Sequence, residues 1–329
     1  MALACSRATC ATARSCSGED PVIDRFVSLL NQWARLRFFW RRLRLQIPRE
    51  ALVLDIGSGD NPHGRADLLC DRDVASHHDR PGILHLDRPF VVGDAEFLPF
   101  RDAAFDYIIS SHVLEHTERP DRVLRELMRV GRAGYIETPS TFSEKLGGMI
   151  THRWTTDIEA GILLVQRKTR PTFDEQLHFT FHRLWRAQAP AFMFFYWQNL
   201  PLFYTWLEWR GQIPYRLVEA DADPHPSPFM GEGPGVRAAP HEDPLPDLAA
   251  LARLRPSPTS LKWGAKRLLY RLAGQWHPPR ALDLGTILAC PLCHGPLTLE
   301  AQRALCTACR AAFPIVNAIP VLLPEAKLP

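Results

Sequence analysis

The sequence feature that most constrains the fold is the stretch over residues 51–60, which reads ALVLDIGSGD. An apolar run that passes directly into Asp55 and two glycines is typical of a buried parallel strand that enters a tight loop. Gly57 and Gly59 allow backbone angles closed to other residues and let a ligand approach the main chain. The carboxyl end of such a strand is where open α/β sheets bind their ligands. Taken alone, two glycines after a strand indicate an ordinary tight turn as readily as a nucleotide site.

Further apolar segments follow this strand, separated by loops or by a helical pattern. Strands that alternate with helices predict an α/β fold with a parallel sheet and right-handed connections. The interval from Asp55 to Asp71, the acid after the second predicted strand, is short for a full helix, so we expect a loop or a reduced helix there. The predicted strands lie in residues 66–70, 90–100, 105–111 and 134–139, and the helical pattern covers residues 123–128.

Residues 22–47 place apolar side chains at spacings of three and four, which predicts a long amphipathic helix. Residues 35–49 contain six arginines and no acidic residue. Such a helix can contact an anionic membrane or phosphate, or it can pack on the sheet with its arginines in solvent, which we favour. Residues 1–20 lack the apolar core of a secretory signal and are expected to be disordered.

Residues 189–209 contain nine aromatic side chains in 21 residues. Their polar residues and Pro201 argue against a membrane-spanning helix. The segment packs in the core, lines an acceptor pocket or contacts a lipid, and we favour core packing. Because no run of eighteen apolar residues is free of polar or proline interruptions, we expect a cytoplasmic protein without a transmembrane segment. Peripheral membrane contact is then confined to residues 22–47 or 189–209.

Residues 224–246 contain seven prolines and three glycines without any periodic pattern. This composition predicts an extended linker over residues 221–258. The linker separates a domain over residues 21–220 from a smaller domain over residues 259–329. The smaller domain begins with a basic amphipathic helix over residues 261–272 that can dock on the larger one. The net charge of +3 is too small to indicate nucleic acid by itself.

Cys290 and Cys293 form one pair of closely spaced cysteines, and Cys306 and Cys309 form another twelve residues later. Four soft thiolates at this spacing suit a structural zinc ion. The apolar tail over residues 313–323 supplies the strands of a small ribbon, whose stability depends on the metal. A redox dithiol or an iron–sulfur site is disfavoured without a thioredoxin-like context.

The segments VLDIGSGD, GDAEFLPF, AFDYIISSHVLEH, RELMRV and GYIETP resemble class I S-adenosylmethionine-dependent methyltransferases, and specifically the type 11 family. The resemblance covers residues 50–140. It implies a Rossmann-like sheet of seven strands, the last antiparallel, with residues 158–167 and 213–219 as the strands that finish it. CPLCHGPL and CTACRAAFPIVNAIPVLL resemble the small zinc-ribbon proteins that bind and activate methyltransferases acting on tRNA, rRNA and protein release factors.

The resemblance also implies which residues bind S-adenosylmethionine. The glycine loop would hold its methionine end, Asp71 its ribose, and Asp94 with the following backbone its adenine. The implied cofactor-binding residues are Asp55, Gly57, Ser58, Gly59, Asp71, Asp94, Ala95, Glu96 and Ser111.

His112, Glu115 and His116 follow the fourth predicted strand and are the candidate catalytic residues. The two histidines are four apart, so they share one face of a helix, and either can take a proton from an acceptor near neutral pH. Glu115 would pair with them. Some methyltransferases bind magnesium with a glutamate-rich version of this segment. Here His112 stands where a further glutamate would be needed, which disfavours a metal.

The sequence therefore predicts a methyltransferase with a zinc ribbon fused in cis. The aromatic segment favours an oxygen or nitrogen acceptor on a small molecule or a lipid or glycan intermediate. The arginine-rich helix and the ribbon favour an RNA or protein acceptor instead. A binding scaffold without turnover is the rival from another class.

Overall fold

The computed structural model describes residues 29–33, 40–74, 84–149, 151–168, 175–218, 248–254, 261–276, 278 and 280–328. The predictions for residues 1–20 and for most of the linker lie outside these ranges. None of the described helices is long and apolar enough to cross a membrane.

The described residues form thirteen strands in two sheets. The larger sheet has the order β10-β11-β12-β13-β3-β2-β1-β4-β5-β8, and the smaller has the order β6-β7-β9. The strands are β1 (Val53–Ile56), β2 (Leu68–Asp71), β3 (Phe90–Gly93), β4 (Tyr107–Ser111), β5 (Ala133–Pro139), β6 (Trp154–Glu159), β7 (Ile162–Arg167), β8 (Tyr204–Arg210), β9 (Tyr215–Val218), β10 (Leu297–Leu299), β11 (Arg303–Cys306), β12 (Ala312–Val316) and β13 (Ile319–Leu322).

Helices cover the faces of the sheets. α1 begins with proline in its first turn, where the missing N–H costs no helical bond. Its Val123, Leu124 and Leu127 are fully buried in the main core, and each contributes roughly 1.5–3 kcal/mol of hydrophobic stabilisation. The helices are α1 (Pro120–Val130), α2 (Thr141–Gly147), α3 (Glu175–Arg186), α4 (Pro190–Gln198), α5 (Leu200–Phe203), α6 (Leu248–Arg253), α7 (Leu261–Leu272) and α8 (Leu284–Ile287).

Strands β3, β2, β1, β4 and β5 are parallel, as the sequence predicted. All four residues of β1 are buried, which fits a strand covered on both faces. Because β1 lies between β2 and β4, the direction of the strand order reverses there. Ligands of open α/β sheets bind at such a switch point, beyond the carboxyl ends of the strands.

The prediction that residues 158–167 and 213–219 finish the main sheet is wrong. Their described residues lie in or beside β6, β7 and β9, which form the smaller sheet. The antiparallel strand beside β5 is β8, which comes from the aromatic segment. β8 pairs with all seven residues of β5, whereas β9 has only four residues to offer.

The prediction of one continuous helix over residues 22–47 is wrong at its end. Residues 29–33 and 40–43 are helical, but residues 44–48 are not, and the other positions lie outside the described residues.

The prediction that the arginines of this segment lie in solvent is wrong for Arg41. Its guanidinium lies 3.8 Å from the centre of the Trp206 ring and pairs with the buried Glu137.

The C-terminal ribbon continues the main sheet. Its strands β10 to β13 are antiparallel to one another, and β13 pairs in parallel with β3 through Val321 and Leu322. Phe313 and Leu322 belong to the same buried cluster as Leu54 of β1. The ribbon and the parallel strands therefore share one hydrophobic core.

Candidate active site

The glycine loop follows β1 and is hydrogen-bonded to the end of β2. The Gly57 N–H donates to the Cys70 carbonyl at 2.8 Å, and the Gly59 N–H donates to Asp71 Oδ2 at 2.9 Å. Both glycines have positive φ angles, 64° and 51°. A Cβ on Gly57 would lie 2.4 Å from Val113 Cγ2. Only glycine fits this close approach of the loops after β1 and β4.

Asp55 is buried at the end of β1, and its Oδ2 accepts the His63 N–H at 2.6 Å. Burial raises the pKa of Asp55 to about 6, although the His63 bond and the nearby Arg42 oppose the shift. The carboxylate therefore carries a destabilised charge at neutral pH, which a cationic ligand group would stabilise.

Ser58 lies within the same loop, and Asp71 at the end of β2 is hydrogen-bonded to it. Among the described residues, the buried Ser58 Oγ has no hydrogen-bond partner. Asp71 ends β2 and accepts from the backbone of Gly59 and Asp73. As expected for the short interval, residues 57–67 form turns without a helix. Asp67 lies before β2, where it is held by Arg65 at 3.1 Å, so Asp71 is the acid at the ligand-binding end.

Asp94 caps the 3-10 helix Ala95–Phe97, with Oδ1 accepting the Glu96 N–H at 2.8 Å. Its other oxygen pairs with Arg72, which also pairs with Glu325 at 2.7 Å. Glu96 turns away to accept two backbone N–H groups at the start of α1, from Glu118 and Arg119. Asp94 therefore holds the backbone of this turn, and the Glu96 side chain joins the turn to the start of α1.

His112 lies directly beyond β4 with a positive φ of 58°, a strained angle for a residue with a side chain. Its Nδ1 lies 3.1 Å from Glu115 Oε1, and its Nε2 lies 4.0 Å from Glu137 Oε1. Partial desolvation of the ring lowers the pKa of His112, but the bond to Glu115 and the charges of Glu115 and Glu137 outweigh it and raise the pKa. The His112 side chain is 43% exposed, so a ligand can reach it.

Glu137 is a site residue that the sequence reasoning missed. It is 1% exposed near the end of β5, where Ser111 Oγ donates to it at 3.3 Å and Tyr135 and Arg41 also bind it. Burial would raise its pKa, but Arg42, His112 and Arg41 lower it to about 2. A glutamate inside the apolar strand GYIETP was the available signal, because an unpaired buried carboxylate is costly.

Glu115 and His116 lie in the 3-10 helix Leu114–His116, and the structure brings His152 beside them. One candidate ligand atom from each residue lies within 4.8 Å of the other two. The rings of His116 and His152 meet edge to face with centroids 4.6 Å apart. His152 lies 36 residues beyond His116, so no local motif could have shown this cluster.

Two surfaces border this region. A cavity of about 250 Å³ is lined by Glu118, Arg119, Arg153, Trp154 and Arg167. On another side, the Tyr204 ring lies 5.8 Å from the His112 ring, and its hydroxyl lies 2.7 Å from that of Tyr196. Tyr204 thereby connects His112 to the aromatic cluster of α3, α4 and α5.

The four ribbon cysteines also converge, with all four Sγ atoms within 4.8 Å of one another. Cys290 lies 3.7 Å from Cys309, and Cys293 lies 3.5 Å from Cys306. The Cys309 N–H donates to the Cys306 sulfur at 3.4 Å, and Cys306 has its pKa lowered to about 7 despite burial. Four thiols in this arrangement fit one tetrahedral zinc ion.

Comparison with known families agrees with this geometry. Residues 71–136 match the family described as a methyltransferase domain, and residues 282–317 match the family described as Trm112p-like protein. The chain therefore carries an S-adenosylmethionine-dependent methyltransferase domain followed by a Trm112p-like domain, which confirms the resemblance seen in the sequence.

Two relatives illustrate the matches. An uncharacterized methyltransferase of Mycolicibacterium gilvum (strain PYR-GCK) is 31% identical over 125 residues, which are 35% of this chain and 48% of the relative. The chain thus spans about half the length of this relative. A UPF0434 protein of Methylobacillus flagellatus (strain ATCC 51484 / DSM 6875 / VKM B-1610 / KT) is 47% identical over 47 residues, which are 13% of this chain and 78% of the relative. Over that match the chain belongs to the UPF0434 family.

Among solved structures, the complex of the Haloferax volcanii Trm112 methyltransferase activator with a methyltransferase is 20% identical. The match covers 35% of this chain and 59% of that chain, with a TM-score of 0.24. The assignment of the two domains depends on the family matches.

Proposed function

We propose that this protein transfers a methyl group from S-adenosylmethionine to an oxygen or nitrogen atom of a small molecule or of a lipid or glycan intermediate. The observation that carries the proposal is the approach of the glycine loop to the segment of His112, where Gly57 packs on Val113. S-adenosylmethionine, when bound, supplies an electrophilic methyl group. The protein's part is to position the reactants and to stabilise charge.

In this proposal the glycine loop and Asp55 bind the methionine end of the cofactor. The destabilised charge of Asp55 and the unpartnered Ser58 Oγ favour a ligand with an ammonium group and a hydrogen-bonding carboxylate. Asp71 would accept from ribose hydroxyls, since each carboxylate oxygen can accept a second hydrogen bond. Asp94 would hold the loop whose backbone at Ala95 and Glu96 meets the adenine.

His112 is the proposed base. With Nδ1–H donated to Glu115, its Nε2 keeps a lone pair that can take the proton of an acceptor hydroxyl or amine. Beside His112, the Ser111 hydroxyl donates a hydrogen bond to the Glu137 carboxylate. The tautomer follows from the hydrogen-bond network.

The aromatic cluster beside His112 favours an acceptor with an apolar part. Phe142, Phe179, Phe195 and Leu202 of this region are between 39% and 71% exposed, more apolar surface than a covered core would leave. RNA is the second candidate acceptor, because three of the five residues that line the neighbouring cavity are arginines. We further propose that the ribbon domain, residues 259–329, stabilises the larger domain of the same chain, residues 21–220.

Transfer of radiolabel from methyl-labelled S-adenosylmethionine into a fractionated cell extract tests the proposal. We expect label in the lipid or small-molecule fraction, reduced at least tenfold in His112→Ala while the affinity for S-adenosylmethionine in calorimetry is kept. Label in RNA would support the second candidate. Absence of cofactor binding in a folded protein would contradict methyl transfer altogether and leave a scaffold.

A further inference from the structure

Glu115 presents an unusual buried carboxylate. The residue is 0% exposed, and its Oε1 is bound by His112. Its Oε2 has no hydrogen-bond partner among the described residues. Burying a charged oxygen without a hydrogen-bond partner is costly. This oxygen therefore indicates that a cation belongs beside it.

His152 is arranged as a metal-ligating histidine would be. It is 6% exposed, and its Nδ1 lies 2.6 Å from Glu144 Oε1. Glu144 is in turn held by Lys168 Nζ at 2.7 Å. A carboxylate that accepts one ring N–H fixes the tautomer and leaves the other ring nitrogen with its lone pair, as in the outer shell of metal sites. His152 can then offer its other ring nitrogen to the cluster with Glu115 and His116.

From this arrangement we infer that Glu115, His116 and His152 bind one divalent transition-metal ion at a site distinct from the four cysteines. Donor atoms around one ion lie about 3–4 Å apart when each bond is about 2.1 Å, so small side-chain adjustments close the 4.8 Å cluster. Two imidazoles with one carboxylate suit zinc, iron or manganese better than magnesium, which prefers oxygen ligands. His116 is only partly buried, so the remaining coordination positions can take water or an acceptor oxygen.

This site goes beyond the proposed methyl transfer and does not depend on it, since ion binding is measurable without any acceptor. It also assigns His116 to the metal rather than to proton transfer. His112 then remains the candidate base, oriented by the same Glu115 whose other oxygen binds the ion.

Manganese is the sharpest probe, because Mn²⁺ prefers nitrogen and oxygen ligands whereas the thiolate site prefers zinc. The full chain, loaded with one equivalent of zinc so that only the four-cysteine site is filled, is titrated with Mn²⁺ while the free aqua ion is followed by electron paramagnetic resonance. We expect one saturable Mn²⁺ site per chain. His116→Ala and Glu115→Gln should each weaken it at least tenfold, and Glu144→Gln about 10–100-fold through the orientation of His152.

His182→Ala is the matched control. Its ring lies 4.3 Å from that of His178 on α3, so this second histidine pair could collect Mn²⁺ by itself. Binding should be unchanged in this variant. Zinc content should also be unchanged in His116→Ala, and circular dichroism reports whether each variant is folded. Absence of a saturable Mn²⁺ site in the wild type, binding kept in folded His116→Ala, or binding lost in His182→Ala would each overturn the inference.

Discussion

Lys266 Nζ lies 2.8 Å from Asn61 Oδ1, although 205 residues separate the two along the chain. The same ammonium donates to the Pro62 carbonyl at 2.6 Å. These bonds anchor α7 on the turns between β1 and β2, which contain no helix of their own. The docking expected from the sequence for this basic helix is thereby confirmed. A helix from the far side of the linker covers the loop that follows the candidate cofactor site.

Tyr270→Ala tests how strongly α7 supports that loop. Tyr270 is 2% exposed, and its ring meets the His63 ring edge to face at 4.9 Å. Removal of this buried ring should lower the free energy of unfolding by about 3 kcal/mol, measured by guanidinium titration. Leu272→Ala on the same helix is the control, because Leu272 is 71% exposed and should change stability by less than about 0.5 kcal/mol. Equal effects of the two variants would contradict the docking.

Gly57→Ala should weaken cofactor binding. The new methyl group would lie 2.4 Å from Val113 Cγ2 and would force the loops after β1 and β4 apart. We expect the affinity for S-adenosylmethionine, measured by calorimetry, to fall at least about 30-fold, which is about 2 kcal/mol.

Gly211→Ala separates that clash from backbone strain. Gly211 has a similar φ of 69°, but nothing lies within 4 Å of its Cβ position. The variant should lose some stability and keep its cofactor affinity. If Gly57→Ala binds the cofactor as well as Gly211→Ala does, the loop is not where the cofactor lies.

Asp55 should make stability depend on pH. Its folded pKa of about 6 lies above the ordinary value of 3.8, so the native state holds the proton more tightly than the unfolded chain does. The contribution of Asp55 to stability is therefore complete below about pH 4 and is lost as the pH rises through about 6. The difference between the folded and unfolded pKa of Asp55 corresponds to about 3 kcal/mol of stability.

Denaturant titration of wild type and Asp55→Asn at several pH values measures that contribution. The wild type should lose about 3 kcal/mol relative to the neutral variant between pH 4 and pH 7. Asp73→Asn, at an exposed residue next to the same site, is the control and should follow the wild type. A constant difference between wild type and Asp55→Asn would show that the Asp55 pKa is not raised.

The parallel strands and the converging cysteines could be predicted from sequence because their signals are local. Strand β1 begins in the apolar run over residues 51–54, and the spacing of Cys290 and Cys293 is typical of a metal knuckle. The antiparallel edge could not be predicted in the same way. β8 pairs with β5 over seven residues, a tertiary pairing that only the folded chain reveals.

Of the candidate site, the sequence indicated His112, Glu115 and His116, which follow one strand. It missed Glu137, Arg41 and His152, because their relation to the site arises from tertiary contacts over distant parts of the chain. From the arginine pattern of the first helix we expected Arg41 to lie in solvent. In the structure its guanidinium pairs instead with the buried carboxylate of Glu137. The cofactor roles of Asp55, Asp71 and Asp94, and the domain boundaries, stay predictions.

Loss of zinc binding by the two cysteine pairs should lower the stability of the whole chain, not only that of the ribbon. β13 extends the sheet beside β3, and Arg72 joins Asp94 of the candidate adenine loop to Glu325 just after β13. Because zinc would supply much of the folding energy of so small a ribbon, we expect Cys306→Ser to lose one zinc per chain. We also expect its thermal midpoint to fall by more than about 5 °C and its cofactor affinity to fall with it. Cys70→Ala is the control, because it removes a buried thiol outside the ribbon and should keep its zinc.

An unchanged thermal midpoint in zinc-free Cys306→Ser would contradict this prediction. It would mean that zinc binding in the ribbon does not stabilise the methyltransferase domain through the shared core.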